Sequence, residues 1–390
     1  MSDDPFDLPR VARHADPVVT TSEPVTQELV SAEGERHFPC PTCGSDLRFS
    51  PDTGVMSCDH CGHSEAIDAQ APHPVRELDF AAAIDQLLPA QDVQETRTTQ
   101  CPNCGAQVAF SDDVHARECP FCATPVVVST GLHRQIKPRG LLPFKLAEDA
   151  AKEAMTDWLG KLWFAPNGLA EYARKGRKMQ GIYVPYWTFD AQTHSDYTGQ
   201  RGDDYYTSHS VVRNGKRETV RKRHTRWSRR SGRVARFFDD VLVLASHSLP
   251  RKYTQALEPW DLAALEPYIP EYLAGFRAES YTVEIKEGYA QARSAMDAMI
   301  LRDVRFDIGG DRQRVEQVTT RVSDVTFKHI LLPVWLAAYK YRGKTYRFVV
   351  NGRTGTIQGE RPYSAWKIAF AVVAGAILAA VVGYFIAQNQ

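Results

Sequence analysis

The sequence predicts an α+β protein that ends in a membrane-spanning helix, and three observations predict it. Two stretches repeat the pattern C-x2-C-x14-C-x2-C, each with short alternating segments that suit a small antiparallel ribbon. Two amphipathic helical patterns, each followed by an extended run carrying a proline and a tryptophan, predict helices packed on an antiparallel sheet. A long uncharged apolar segment lies at the C-terminal end. The boundaries that follow are a disordered acidic tail (1–36), a first ribbon (37–65), a linker with a short helix (66–96) and a second ribbon (97–130). After them come a larger α+β domain (131–362) with a protruding basic hairpin (205–245), a transmembrane helix (363–387) and a last tail (388–390).

At 390 residues the chain has room for two or three cores. Lysine plus arginine balances aspartate plus glutamate at 47 each, but the charges are unevenly placed. Residues 1–35 carry eight acids against Arg10 and Arg13. With scattered prolines and no apolar period, that stretch buries too little surface to offset the entropy of ordering. No charged-then-apolar signal follows Met1, so the N-terminal region is expected in the cytosol.

All eight cysteines lie in the two repeats: Cys40, Cys43, Cys58 and Cys61 in the first, Cys101, Cys104, Cys119 and Cys122 in the second. Two residues between paired cysteines let both sulfurs face one ion, and the glycine after the turn allows the positive φ that aims backbone amides at thiolates. In a reducing cytosol, eight thiols at this spacing fit two tetrahedral Zn2+ sites, one per ribbon, rather than disulfides. The rival use of a C-x-x-C pair is redox chemistry, which normally sets the pair at the start of a helix in a βαβ unit. The repeats also share Pro41 and Pro102, Gly44 and Gly105, Phe49 and Phe110, Ser50 and Ser111, and Asp52 and Asp113, the mark of a duplication. Four sulfurs close each site, so His60, His63 and His115 are expected outside the ligand set. A closed site leaves no position for a reactive water, and the ribbons read as structural staples.

Between the ribbons, Leu78, Ala81, Ala82, Ile84, Leu87 and Leu88 predict a short amphipathic helix over 77–90 that stops at Pro89 and spaces the ribbons. Farther on, "IYVPYW" (182–187) and "ILLPVW" (330–335) share the pattern I-x-[VL]-P-x-W, and each follows a helical period. The first helix places Ala147, Ala150, Ala151, Ala154, Met155, Trp158, Leu159 and Leu162 on one face; the second does so with Tyr289, Ala292, Met296, Met299, Ile300 and Val304. Two related helix-on-sheet units follow, with the prolines at strand edges or bulges because proline cannot donate to a ladder. Tyr183, Tyr186, Trp187, Phe189, Trp335, Tyr339, Tyr341, Tyr346 and Phe348 serve either a core or a base-stacking platform, and alternation along strands favours the core. A last hairpin around "NGRTG" leads towards the C-terminal helix.

Residues 213–236 hold eleven Lys or Arg against Glu218 alone. Turn signals at Asn214-Gly215 and Ser231-Gly232 predict three consecutive strands, and the middle one is polar on both faces, so this hairpin is expected to project into solvent. Its candidate anion contacts are Arg213, Lys216, Arg217, Arg221, Lys222, Arg223, Arg226, Arg229, Arg230 and Arg233. Four readings stay open for them: nucleic acid, anionic lipid headgroups, an acidic protein surface, or plain solvation of a sheet edge.

From Ile368 to Ala387 the chain runs 20 residues without a charge. At ~1.5 Å per residue that crosses a hydrocarbon core of about 30 Å. Arg353, Arg361 and Lys367 precede it, which by the positive-inside rule leaves the soluble part in the cytoplasm of a single-pass protein. Ala371, Gly375, Ala379 and Gly383 form a small-residue stripe suited to a homodimer contact.

The sequence contains no G-x-x-x-x-G-K-[ST] loop, no H-E-x-x-H, no G-x-S-x-G and no G-x-G-x-x-G. His194, Ser195 and Asp196 are neighbours on a strand, so they point to alternate faces and cannot make a triad by adjacency. Together, "CPTCG…CDHCG", "CPNCG…CPFCA", "YVPYWTFDAQTHSDYTG", "SDVTFKHILLPVW", "YRFVVNGRTG" and the terminal helix resemble a bacterial family of zinc-ribbon membrane proteins. Its members are often labelled as similar to the primosomal replication protein, a superfamily 2 helicase, or as bearing a transcription-factor-type zinc ribbon. The resemblance implies zinc at the eight cysteines and a place at the bacterial cytoplasmic membrane. Lacking a nucleotide-binding loop, the chain is expected not to hydrolyse ATP or unwind duplexes. The expected function is a non-enzymatic, membrane-tethered adaptor that docks an unidentified protein or nucleic-acid partner; the alternative is a nucleic-acid-binding replication factor.

Overall fold

The computed structural model describes residues 29–30, 36–67, 75–85, 88–89, 92–101, 107–109, 116–118, 125–127, 132–166, 179–213, 216–341, 344–360 and 362–388. Strands β1 (Leu29–Val30), β2 (Arg36–Pro39), β3 (Asp46–Ser50), β4 (Val55–Cys58) and β5 (Ser64–Glu65) make the first ribbon, an antiparallel sheet in chain order. It begins earlier than the cysteine spacing predicts: Leu29 and Val30 pair with His37 and Arg36, within and beside the stretch expected to be a disordered tail. The ribbon is also seated on the body rather than loose. Phe49 lies edge-on to Tyr272 at 5.2 Å, its amide donates to the Ala274 carbonyl at 3.1 Å, and Leu47 and Met56 are buried in the same cluster.

Strand β6 (Leu78–Asp79) leads into α1 (Phe80–Ile84), a single turn rather than the longer helix over 77–90. The Asp79 carboxylate caps it, accepting from the Ala82 amide at 2.7 Å. The segment docks instead of spacing the ribbons, because Leu78 and Asp79 pair with Phe327 and Thr326 of the body while the Phe80 ring packs 4.4 Å from Tyr289.

Strands β7 (Val93–Gln100), β8 (Gln107–Ala109), β9 (Ala116–Glu118), β10 (Pro125–Val127) and β11 (Leu132–Ile136) follow. β9 and β10 form a hairpin, but β8 pairs both with β7 and with Glu279 and Ser280 of the body. Through β8 this part of the chain, where the cysteine spacing predicts a second small ribbon, joins the main sheet. An unpaired strand edge takes the nearest partner, whatever its separation in sequence.

The body contains β12 (Gly140–Leu141), α2 (Glu148–Gly160), β13 (Gln180–Arg213), β14 (Lys216–Leu244), α3 (Arg251–Gln255), β15 (Glu266–Pro267), β16 (Arg277–Ser280), α4 (Ile285–Ile308), β17 (Arg312–Tyr341), β18 (Lys344–Asn351) and β19 (Ile357–Gly359). The chain ends in α5 (Ala365–Gln388). At its centre the two I-x-[VL]-P-x-W runs pair with each other. Val184 lies opposite Leu332, flanked by Tyr183 opposite Pro333 and Pro185 opposite Leu331, so a pseudo-two-fold axis passes through the Val184–Leu332 pair. The first strand of each unit joins the other unit: β12 runs parallel to β17 and β16 parallel to β13.

A two-fold axis normal to the sheet puts both helices on one face. There α2 packs with Tyr183 and Trp335, and α4 with Trp187, Phe189 and Phe327. On the other face Ile182, Val184, Tyr186, Ile330, Leu332 and Val334 are covered by Leu249, Leu257 and Trp260. The aromatic residues of these runs are therefore core, with Phe348 buried and Tyr346 packed against it; the side chains of Tyr339 and Tyr341 lie outside the described residues.

The prolines sit neither at edges nor at bulges. The Pro185 carbonyl accepts from the Ala245 amide at 3.0 Å, and that of Pro333 from Gly352 at 2.9 Å. A residue's N–H and C=O point to one side of a strand. Each missing donor thus falls where the neighbouring strand changes, from β16 to β14 beside Pro185 and from β12 to β18 beside Pro333.

Helix α4 buries Ile285, Gly288, Ala292, Met296, Ile300, Val304 and Ile308 at spacings of three and four, whereas Met299, assigned to that face by periodicity, is 38% exposed. Gly288 sets the approach: a Cβ there would lie 2.7 Å from Trp187 Cδ1, and the Trp187 indole donates to the Val283 carbonyl at 2.9 Å. Gly288→Val should cost about 1–3 kcal/mol and lift the helix from the ring. Denaturant unfolding with Trp emission checks it; unchanged stability and spectrum would refute the packing.

Candidate metal centre and basic arm

Two knuckles of the same geometry build the first cysteine site. Gly44 and Gly62 take φ of 75° and 74°, and their amides donate to the carbonyls of Cys40 and Cys58 at 2.9 and 3.0 Å. Each turn thereby brings its two sulfurs to one side. The Cys40–Cys61 and Cys43–Cys58 sulfurs are 3.6 Å apart, and all four lie within 4.8 Å of one another. A tetrahedron with metal–sulfur bonds of about 2.3 Å separates its ligands by about 3.8 Å, so the quartet fits one zinc ion. Cys40 and Cys58 face the core and Cys43 and Cys61 face solvent.

The electrostatics also ask for a cation. Burial alone would raise the Cys40 thiol, but the amides of Thr42 and Cys43 and the adjoining sulfurs hold it at about 6. For Cys61 the His63 amide pulls down, while burial and its three sulfur neighbours prevail and push it up to about 12. Four thiolates cannot share this space unless a divalent ion joins them.

In the second quartet Cys101 is 1% exposed within the cluster that holds Leu142 and Ile182. Cys104, Cys119 and Cys122 lie outside the described residues, as does His115.

The basic hairpin is two strands, not three. β13 and β14 pair from Tyr186 and Leu244 to Arg213 and Lys216, and Ser231-Gly232 lies inside the ladder opposite Thr198 and Tyr197. Gly232 is there for close packing: a Cβ would meet the Tyr197 hydroxyl at 2.6 Å. Up to Gly202 the pair is backed by β17, and beyond it a two-stranded tip continues.

Residues opposite one another share a face. Arg217, Arg221, Arg223, Arg229 and Arg233 therefore line the face turned away from α4, whereas Lys222, Arg226 and Arg230 lie on the other, where Arg236 makes a two-pronged bond to Asp303 at 2.7 Å. The register adds Arg312, Arg314 and Arg321 of β17 to the open face, residues the sequence reading missed. Aromatic rings interleave: Arg314 stands 4.0 Å over Trp227 and Arg221 5.0 Å over Tyr206. Two acids tie the arginines down. Asp196 receives Arg233 at 2.7 Å and Arg321 at 3.5 Å; Asp204 receives Arg312 at 3.2 Å and Arg223 at 3.6 Å. The Thr225 hydroxyl foremost, then Arg312 and Arg223, hold the Asp204 carboxyl below its ordinary range despite desolvation. Arg213 and Lys216 end the two strands, and their side chains lie outside the described residues.

At the foot of the arm β14 and β17 both bulge against β13. Asp240 and Asp324 take φ of 52° where the register slips beside Asp190. Lys328, 6% exposed, reaches Asp240 at 2.8 Å, Glu77 at 3.1 Å and Asp190 at 3.4 Å, and so supplies the cation for this acidic cluster. Burial first, then Glu77, raises Asp190 to about 6, against the pull of the Asp240 amide and Lys328. As the alternation predicts, Ser195 is buried and bonded to Thr320 at 2.8 Å, while His194 and Asp196 face the other way.

Within helix α5 the 22 residues Ala365–Ile386 have membrane-spanning length and apolarity, and none of that span is buried. The structure thus defines a mixed α/β protein with antiparallel sheets, a four-cysteine cluster and one apolar helix long enough to cross a bilayer. No family model and no solved structure matches the chain. It is similar to the uncharacterized protein YdjG of Bacillus subtilis (strain 168), at 26% identity over 349 residues that cover 87% of this chain and 94% of that protein.

Cys58→Ser should cost the purified full chain one bound zinc ion and lower its unfolding midpoint; metal analysis with a chelator control reads this, and an unchanged metal content refutes the site. Asp190, raised from 3.8 to about 6, adds stability that is full below about pH 4 and lost as pH rises through 6. The stability of wild type relative to Asp190→Asn should accordingly improve between pH 7 and pH 5, read from unfolding midpoints in salt-matched buffers.

Proposed function

We propose that the chain is a zinc-bearing adaptor without catalysis of its own, held by α5 as a single pass in the bacterial cytoplasmic membrane, with its soluble body in the cytoplasm. The arm docks a polyanionic protein partner. What carries this reading is the open arm face, where eight arginines converge from two strands distant in sequence. Arginine's planar fork binds carboxylate or phosphate through paired hydrogen bonds, and a solvated edge that merely resists aggregation needs no such convergence.

Arg353 and Lys367 on the soluble side support the cytoplasmic orientation. Lipid headgroups are a weaker fit for the arm. Tyr183 shares a cluster with α2, the helix nearest the start of α5, and the arm's end at Arg213 lies 30 residues farther along β13. At about 3.3 Å per residue that is ~100 Å of strand. A second zinc ion at Cys101, Cys104, Cys119 and Cys122 belongs to this reading, as does a homodimer through Ala371, Gly375, Ala379 and Gly383.

The second reading, a nucleic-acid-binding replication factor, follows the family resemblance. It is favoured by Tyr206 and Trp227, whose rings lie among the arginines as stacking surfaces do in single-strand binders. A photoreactive residue at Ser208, on the open face, separates the two in intact cells. Protein adducts that vanish with Arg217→Glu and Arg221→Glu support docking; nucleic-acid adducts with steep salt dependence support the second reading. No adduct overturns both, and DNA-stimulated ATP hydrolysis by the purified chain overturns the non-enzymatic assignment.

A further inference from the structure

The loop that follows α2 is tied to the first turn of the apolar helix. The Ser364 amide donates to the Phe164 carbonyl at 2.8 Å, and Lys367 Nζ donates to the Ala165 carbonyl at 2.9 Å. Within the loop two outward rings lie between two inward side chains. Leu162 packs against the core and Ala165 is 4% exposed, whereas Trp163 between them is 63% exposed and rests 5.2 Å from the Phe164 ring. Tyr363 and Trp366, on the connecting segment and the first turn of α5, are also largely exposed. Large rings seldom face water so densely on a polar body, yet tryptophan and tyrosine concentrate where hydrocarbon meets headgroups, with a flat apolar ring on one side and a donor on the other.

We propose that Trp163, Phe164, Tyr363 and Trp366 form an interfacial collar, a second membrane contact that seats the body on the bilayer at a fixed height. This rests on the membrane reading of α5. The occupant follows from continuity, because the collar lies against the start of an apolar helix that has no cover from the protein itself. Its level follows from the two hydrogen bonds: Phe164 and Ala165 stand beside Ser364 and Lys367, immediately before the hydrocarbon span begins. The ammonium of Lys367 is held at the headgroup level by a carbonyl, where it suits an anionic lipid surface. Through α2 the collar is continuous with the sheet, so the body has a set orientation rather than a free tether. The α2 end faces the lipid.

The full chain reconstituted in vesicles of phosphatidylethanolamine and phosphatidylglycerol tests this, with a fraction of the lipids brominated near the headgroup or, separately, at mid-chain. Bromine quenches only the tryptophans it touches, and the chain has seven. Trp163→Phe should remove about half of the emission quenched by the shallow bromines, and Trp366→Phe a similar share, since both rings sit at the interface. Shallow quenching that survives Trp163→Phe but falls with Trp366→Phe overturns the collar and leaves the helix in the membrane. Quenching that neither substitution alters overturns the collar together with the membrane reading.

Discussion

The pairing of β13 with β17 is the constraint on which the rest of the molecule depends. Two strands that each carry a proline can lie at the middle of a sheet only if the absent donors face gaps in the ladder, and the pseudo-two-fold arrangement provides one gap on each side. That register sends alternate residues of both strands to opposite faces, so one face receives both long helices and the other receives the segment around Trp260. Exchange of the short parallel strands then locks the two units together, because neither has a complete sheet alone.

From that symmetric centre the halves diverge. On one side the first ribbon packs its Phe49 face against the α2 half, so its four-cysteine cluster is coupled to the main core and is not a separate bead. On the other, β13, β14 and the first part of β17 run past the sheet to make the arm, held on α4 by Arg236 and by the Tyr197 hydroxyl, which donates to Asp307. At the foot of the arm Asp190 and Lys328 are buried as a pair, with Asp240 and Glu77 reaching Lys328 from more exposed positions, so removing Lys328 leaves the Asp190 carboxylate without its cation in a poor solvent.

What was legible in the sequence was local. The C-x-x-C-G turns contain nearly everything the four-cysteine cluster needs, and Ala151, Met155 and Leu159, or Ala292, Met296 and Ile300, reveal their helices by spacing alone. The repeated I-x-[VL]-P-x-W runs disclosed a duplication, but not that its copies pair with each other, since strand pairing has no signature in either strand by itself. Gly232 looked like a turn residue, and its real reason is the Tyr197 ring on the neighbouring strand. Leu87 and Leu88 suggested a longer helix, yet the helix ends at Ile84 and Leu78 before it is a strand residue paired with Phe327. The arginine face was partly visible: Arg217, Arg221 and Arg223 follow from parity along one strand, whereas placing Arg233 with them takes the unbroken β14 ladder through Ser231-Gly232, and Arg312, Arg314 and Arg321 arrive through register with β13.

β13 is one unbroken strand of 34 residues, beginning beneath α2 and ending at the far tip. Its covalent backbone, stiffened by ladders on both sides over much of its length, makes it a lever. A load applied among the distal arginines is delivered as torque to the sheet against which the first ribbon packs, and what compliance there is gathers where β14 and β17 bulge beside Asp190. A partner that grips the tip acts mechanically on the whole molecule.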